Sequence, residues 1–318
     1  MKLSAIIVNY NSWGDTIELV NQALASKVVI DGSCELLIVD NQSTISPPVD
    51  RSTHHALQWI DRSENGGFSA GVNEGAKHAT GDWLLLLNPD IKLKPDNLEK
   101  ALQLATHYDE HTDQKIGVLG CELLNGDGSH QPSVGSFPSF SRIAKELFMP
   151  QNRRRYDSLD PSAPRNCDWV TGAFMLIRKK TFVDVNGFDE QYFLYFEETD
   201  FCLRAARAGW ICRYDPSLQV CHQNPLQNRS TPPHIRVYTR HSRMLYFEKN
   251  RPRWEGKLMA SAIWIESLFR ELLNRLRGNF PYANAWNAIR SLAMAFLIGH
   301  FPVGTKVRDL VVQSNPKG

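Results

Sequence analysis

A β-branched apolar run at residues 3–8 (LSAIIV) ends at the polar cluster Asn9-Tyr10-Asn11-Ser12. Residues 16–25 have helical composition, and a second apolar run at 35–39 ends at Asp40-Asn41. Strand, polar loop, helix, strand and polar loop form the pattern of a βαβ unit in a parallel sheet. A third strand is predicted at 57–60, followed by a glycine-rich stretch and a helix near 70–78. A fourth, Trp83–Leu87, is apolar at every position, as a central parallel strand buried on both faces must be. Pro89 stops its ladder. Ligands of open parallel sheets gather outside the carboxyl ends of the strands. The polar clusters 9–12, 40–43, 65–69 and 88–90 all fall at such ends, so four loops are expected to converge on one crevice.

Beyond this sheet, residues 129–166 are rich in Ser, Pro and Arg, including Arg153-Arg154-Arg155, and read as a loop or mobile flap. A second structured block covers 169–221. A polar stretch with three prolines follows at 224–233, and then mainly helical sequence to about residue 300. Within 257–276, Leu258, Ala262, Ile265, Phe269, Leu272 and Leu276 recur every three or four residues as one apolar stripe. The longest uninterrupted apolar run, 292–298, is far below the roughly 20 residues that cross a bilayer. The apolar run at the start of the chain is too short for a signal peptide.

Composition narrows the class. With 318 residues, 42% hydrophobic and 22% charged, collagen-like, disordered and disulfide-scaffold readings are excluded. The six dispersed cysteines read as reduced thiols of a cytoplasmic protein. The formal net charge of +2 divides unevenly: residues 249–318 hold 11 Lys/Arg against 4 Asp/Glu, which leaves an acidic body. A basic tail carrying an apolar stripe and Trp254, Trp264 and Trp286 suits an anionic membrane surface. A stripe packed on the rest of the protein, under a solvated basic face, explains the same pattern. Both readings stay open at this level.

Three clusters could carry chemistry. Residues 65–75 (NGGFSAGVNEG) lack the GxGxxG spacing and follow the third strand, not the first, which disfavours a nicotinamide oxidoreductase. The glycines suit close approach of backbone to a ligand, or a tight strand-to-helix turn. Asn88-Pro89-Asp90 puts a carboxylate just after a buried strand, as a turn residue or a metal ligand. Glu197, Glu198 and Asp200 crowd three acids among Tyr195, Phe196 and Phe201. Helix capping accounts for one of them, whereas a general base would use another. His222, 24 residues beyond Glu198, completes a carboxylate-plus-imidazole set suited to a divalent cation.

In order along residues 1–225, the segments IIVNYNS (6–12), LLIVDNQS (36–43), ENGGFSAGVNEG (64–75), LLLLNPD (84–90), WVTGAFMLIRK (169–179) and GFDEQYFLYFEETDFCLRAARAGW (187–210), with His222, carry a resemblance. The chain resembles family 2 glycosyltransferases of the GT-A fold, in their bacterial rhamnosyltransferase-like branch.

The resemblance implies an α/β fold, Rossmann-like, with a mostly parallel central sheet flanked by helices. It implies a catalytic domain at 1–225, divided into a nucleotide-binding half (1–125) and an acceptor and catalytic-base half (126–225). A helical C-terminal extension follows at 226–318. It assigns donor binding to Asn9, Tyr10, Asn11, Asp40, Asn41, Arg62, Asn65, Asn73, Asn88 and Asp90, and acceptor or sugar contacts to Trp169, Thr171 and Gly172. Asp90 and His222 would bind Mg²⁺ or Mn²⁺. The family's base is the second acid of a Glu-Asp pair; here the pair is Glu197-Glu198, so Glu198 takes the role, with Glu197 and Asp200 behind it.

The implied reaction is inverting transfer from a nucleotide-diphosphate sugar, dTDP-L-rhamnose favoured, to a lipid-diphosphate-linked saccharide of the cell envelope. No nucleic acid takes part. The expected location is the cytoplasm, at the inner face of the cytoplasmic membrane if the basic tail meets lipid. UDP-galactofuranose or a UDP-hexose as donor, and a nucleotide-sugar-binding module without catalysis, are the alternatives.

Overall fold

The computed structural model describes residues 1–47, 53–112, 114–142, 163–225 and 230–314. Each early apolar run forms a strand: β1 (Leu3–Asn9), β2 (Cys34–Asp40), β3 (Leu57–Asp61) and β4 (Trp83–Leu87). They pair in parallel in the order β3-β2-β1-β4. The chain therefore steps outward from β1 and then crosses back to β4, which opens a switch-point crevice beside β1. β4 is buried along its whole length, matching its uninterrupted apolar sequence.

Helices α1 (Trp13–Leu24) and α2 (Lys27–Ile30) lie between β1 and β2, α3 (Phe68–His78) lies between β3 and β4, and α4 (Asn97–Glu110) follows β4 and leads into the later strands. α3 lies close on the sheet through its glycines. A Cβ on Gly71 would stand 2.6 Å from Val8 Cγ1, and one on Gly75 would stand 2.6 Å from Ile6 Cγ2. These two glycines thus serve helix-to-sheet approach, which neither sequence reading of the glycine-rich stretch anticipates.

The rest of the sheet is built by later chain. β5 (Ile91–Lys92) and β6 (Ile116–Leu124) are followed by the short strands β7 (His130–Gln131), β8 (Val134–Gly135), β9 (Arg165–Cys167) and β10 (Trp169–Val170). β11 (Phe174–Arg178) then inserts antiparallel between β4 and β6, and β12 (Ile211–His222) runs parallel to β6. β5 pairs antiparallel at the far edge of β12. The mostly parallel sheet expected from the sequence is present, and one antiparallel strand divides it. Apolar side chains fill both faces of the sheet. Of the flap-like stretch 129–166, residues 129–142 carry β7 and β8, while 143–162, including Arg153-Arg154-Arg155, lie outside the described residues.

After α5 (Lys179–Asp184) and α6 (Glu197–Arg207) come four helices: α7 (Pro233–Asn250), α8 (Arg253–Leu276), α9 (Phe280–Leu297) and α10 (Thr305–Ser314). Helical structure thus continues past residue 300. The boundary expected at 225/226 abuts residues 226–229, outside the described set. These helices share a third apolar cluster with Tyr192, Phe193 and Phe196, so the extension is seated on the chain leading into α6.

The six-residue stripe of α8 does not line that cluster. Met259, Ala260 and Ile263 face inward, whereas Leu258, Ala262, Ile265, Phe269, Leu272 and Leu276 are exposed. Trp254 is exposed and Trp264 half-buried. Trp286, counted above with them as an interfacial residue, is 2% exposed. It is buried because it fills the core beneath the guanidinium groups of Arg236, Arg240 and Arg270. Among the described residues, no helix is long and apolar enough to cross a membrane.

Candidate active site

The loop after β1 is held by Asn9. Its amide donates to Asp40 Oδ1 and Ser43 Oγ, both at 3.0 Å, and its carbonyl accepts from Thr16 Oγ1 at 2.9 Å. Asn11, at φ 55°, accepts from the Thr44 and Ile45 backbone and donates its own N–H to Ser43 Oγ. Both side chains therefore brace the loops. Tyr10 stands between them, 46% exposed at the crevice mouth. Ser43, quoted in a motif above but given no role, is the hub of this network.

A second layer rests on Asn41. Its Nδ2 donates to Asn65 Oδ1 and to Gly67 O, each at 2.9 Å. Asn41 Oδ1 is buried and accepts no hydrogen bond among the described residues. Gly67 is required by its φ of 88° and because a Cβ there would come 2.2 Å from Phe193 O. Phe68 N and Ser69 Oγ donate to the Phe193 and Tyr192 carbonyls, so the glycine-rich loop is stitched to the segment before α6. Arg62 ties the same loop to α3 through Ala70 O and Glu74. Asn73 lies further along α3, where its amide takes both backbone groups of Phe188. Among the described residues, its side-chain hydrogen bonds go to the segment before α6, to Phe188 and to Glu190.

Asp90 and His222 meet. His222 Nε2 lies 3.2 Å from Asp90 Oδ1, fixed by the β12–β5 pairing of His222 with Ile91 and by Gln223 N donating to Asp90 O. Octahedral ligands of Mg²⁺ stand about 3 Å apart in adjacent positions, so this spacing suits the ion. Behind the imidazole, Gln131 Nε2 sits 3.0 Å from His222 Nδ1 while Gln131 Oε1 is buried and has no hydrogen-bond partner among the described residues. Turning that amide by 180° lets Gln131 Oε1 accept the His222 Nδ1 proton and leaves the His222 Nε2 lone pair available, beside Asp90, for a cation. A metal-binding histidine needs such a carbonyl behind it. Among the described residues, no third His, Cys, Asp or Glu joins the pair as a metal cluster, so only two protein ligands are on hand. Gln131 falls in a stretch that reads as loop, and no sequence signal marks it.

Glu198 is placed by a backbone turn. Tyr195 and Phe196 both adopt left-handed φ, 69° and 68°, at a cost of about 1–3 kcal/mol each, and α6 begins at the next residue. Phe196 is buried against Tyr246, which holds the turn. With Asn11 and Gln42, four of the five non-glycine residues at positive φ among the described residues lie in the loops after β1 and β2 or in the turn that leads into Glu198. Strain of this kind collects at functional sites. A Cβ on Gly172 would lie 4.0 Å from Glu198 Cβ, and Asn88 N donates to Ala173 O. One rim therefore runs Asp90, Asn88, Ala173, Gly172, Glu198. Thr171 N donates to Ser133 O, and Trp169 Nε1 to Ser136 O, which sets both against the segment after β7.

Asp200 is engaged elsewhere. It is 1% exposed, with Arg204 Nε at 2.7 Å, Asn250 Nδ2 at 2.8 Å and Tyr192 OH at 3.3 Å. It joins α6 to α7.

Strand order, switch-point crevice and loop chemistry together define a GT-A fold. Residues 4–183 match the model of glycosyl transferase family 2, and the chain belongs to that family. It is thus a glycosyltransferase. An N-acetylglucosaminyl-diphospho-decaprenol L-rhamnosyltransferase of Mycobacterium tuberculosis is 27% identical over 244 residues, 70% of this chain and 78% of that one. Rhamnosyltransferase WbbL of Escherichia coli is 34% identical over 159 residues, 50% of this chain and 59% of that one. Among solved structures, the mannosyltransferase PcManGT of Pyrobaculum calidifontis, in complex with GDP-Man and Mn²⁺, superposes with a TM-score of 0.53 at 16% identity. That match covers 99% of this chain and 86% of that one.

Proposed function

We propose that this enzyme moves L-rhamnose from dTDP-L-rhamnose, with inversion, to a hydroxyl of a lipid-diphosphate-linked saccharide in cell-envelope glycan synthesis. The observation that carries the reading is the continuous rim linking the Asp90–His222 pair to Glu198 through Asn88, Ala173 and Gly172. The sugar is supported by what both the mycobacterial and Escherichia coli relatives are named for, the acceptor class by the mycobacterial name alone.

In this scheme the nucleoside lies against Tyr10 and Asp40, and the buried Asn41 Oδ1 accepts from a donor hydroxyl. Asp90 and His222 hold the divalent cation. A bound Mg²⁺ or Mn²⁺ supplies a Lewis acid for the charge growing on the diphosphate. Glu198 takes the proton of the acceptor hydroxyl as that oxygen bonds to C1 of the sugar. The C1–O bond to the diphosphate breaks on the opposite face, and its electron pair leaves with dTDP. One displacement inverts the anomeric centre, and a positioned base contributes about 10²–10⁴-fold. Thr171 and Gly172 border the acceptor, while Trp169, 1% exposed in the core, supports that edge from beneath instead of touching the sugar.

The test is incubation with dTDP-L-rhamnose, Mg²⁺ or Mn²⁺, and a prenyl-diphosphate-linked N-acetylglucosamine. Release of dTDP with formation of a rhamnosyl product is expected. Product only with a UDP-sugar reassigns the donor. Donor binding without product across all donors and acceptors favours the non-catalytic module.

A further inference from the structure

The outward face of α8 is unlike that of its neighbour. On α9, Phe280 and Met294 are exposed near the two ends, but along the middle of the helix the exposed positions are the polar Asn284, Asn287 and Ser291. On α8, Leu258, Ile265, Phe269, Leu272 and Leu276 are exposed, Phe269 at 67% and Leu276 at 78%. A 24-residue helix extends about 36 Å, so these side chains form one long apolar band on a helix whose other side is packed in the protein core.

Charge chooses the occupant. All three carboxylates of α8 are ion-paired: Glu255 with Arg251, Glu266 with Arg240 and Arg270, Glu271 with Arg275 and Arg290. Arg253, Lys257 and Arg277 make no ion pair among the described residues, and they are exposed near the two ends of the band. Unbalanced charge around the apolar face is therefore positive. A helix with Trp, Phe and Leu on one face and cations at its edge lies in the headgroup region of an anionic bilayer. The 4-3-4-3-4 spacing of 258, 262, 265, 269, 272 and 276 would also suit a coiled-coil seam. The positions flanking such a seam should then be charged. Here Leu268 and Leu273, both exposed, widen the band beyond a two-stranded seam.

The band also begins beside the segment that bonds to Trp169 and Thr171, the edge the proposed scheme gives to the acceptor. Trp169 bonds to Ser136 O, and four residues on, Phe140 meets the first turn of α8, its N–H on Glu255 Oε2 and its ring against Trp254.

We propose that the outward face of α8 docks the enzyme on an anionic lipid bilayer, with the acceptor side of the crevice next to the membrane surface. This rests on the proposed lipid-linked acceptor only for the reason to be there, since the docking itself needs no substrate.

Flotation of the full chain with vesicles of phosphatidylcholine containing roughly one-third phosphatidylglycerol tests it, with pure phosphatidylcholine as control. The protein should float with the anionic vesicles at low salt and be released as salt rises. Phe269→Ser with Leu272→Ser should lower the bound fraction by about tenfold or more. The same variant should keep its melting temperature and its turnover on a water-soluble acceptor, because both side chains face outward. Absence of flotation at low salt, or equal flotation by the variant, overturns the proposal. So does a dimer in sedimentation velocity that the variant dissolves while vesicles bind neither protein. Loss of transfer activity with flotation intact would count against the reaction scheme and leave the docking standing.

Discussion

Arg308 Nη1 donates to the backbone carbonyl of Asn65 at 2.8 Å, across 243 positions of chain. The last helix of the extension thereby reaches the loop that carries Asn41's partners. Arg308→Ala is expected to weaken donor binding by about tenfold, the scale of one charge-assisted hydrogen bond, with a smaller change in kcat. Calorimetric titration with the donor nucleotide checks it. Unaltered affinity would make the contact purely structural.

Glu198→Gln should cut kcat by about 10²–10⁴ while donor affinity holds. Asp200→Asn should act differently, since Asp200 is buried with Arg204, Tyr192 and Asn250 around it. Breaking that pair is expected to cost about 3–5 kcal/mol of stability, read as a fall in melting temperature. If the two variants exchange phenotypes, the base assignment moves to Asp200.

Gln131→Leu removes the amide behind His222 without touching Asp90. Loss of such support typically costs 10–100-fold in metal affinity. Titrating Mn²⁺ into the dTDP-bound protein, followed by its electron paramagnetic resonance, should show that loss. Gln131→Glu, which restores an acceptor, should recover most of it.

His241 is a pH-dependent element. Burial pushes its imidazole down to about 4, while its Nε2–H donates to Pro302 O and its ring stacks on Phe301. Unfolded, the group titrates near its ordinary 6.5, so between those values the unfolded chain binds the extra proton. Stability is thus complete above about pH 6.5 and is lost as pH falls toward 4, by about 3 kcal/mol in all. Thermal melts from pH 7.5 to 4.5 should fall steadily in the wild type. The part due to this group should vanish in His241→Gln.

Parallel strands on the inside of a sheet must be apolar on both faces, and for that reason β1, β2 and β4 were legible to within a residue or two. Loop chemistry was half legible. Asp90 and His222 could be named from their residue types, but their meeting depends on the β5–β12 pairing, which no local pattern encodes. Asn73 looks like its neighbours in sequence, yet the turn of α3 aims it at Phe188. Gln131 and Arg308 were invisible because each acts through a partner some 90 or more positions away. The α8 stripe shows the limit of periodicity: spacing reveals a face without saying whether protein or another medium covers it.

The insertion of β11 between β4 and β6 has a consequence for synthesis on the ribosome. β6 ends at Leu124, and apart from β7, which pairs only with Leu123 and Leu124, its neighbours β11 and β12 end at Arg178 and His222. At about 5–20 residues per second, this nine-residue, almost wholly apolar strand waits roughly 5–20 s for its second neighbour. During that interval the nascent chain exposes an unpaired hydrophobic edge. Chaperone capture of the emerging polypeptide, and inclusion-body formation when expression outpaces that capture, would both begin at this strand.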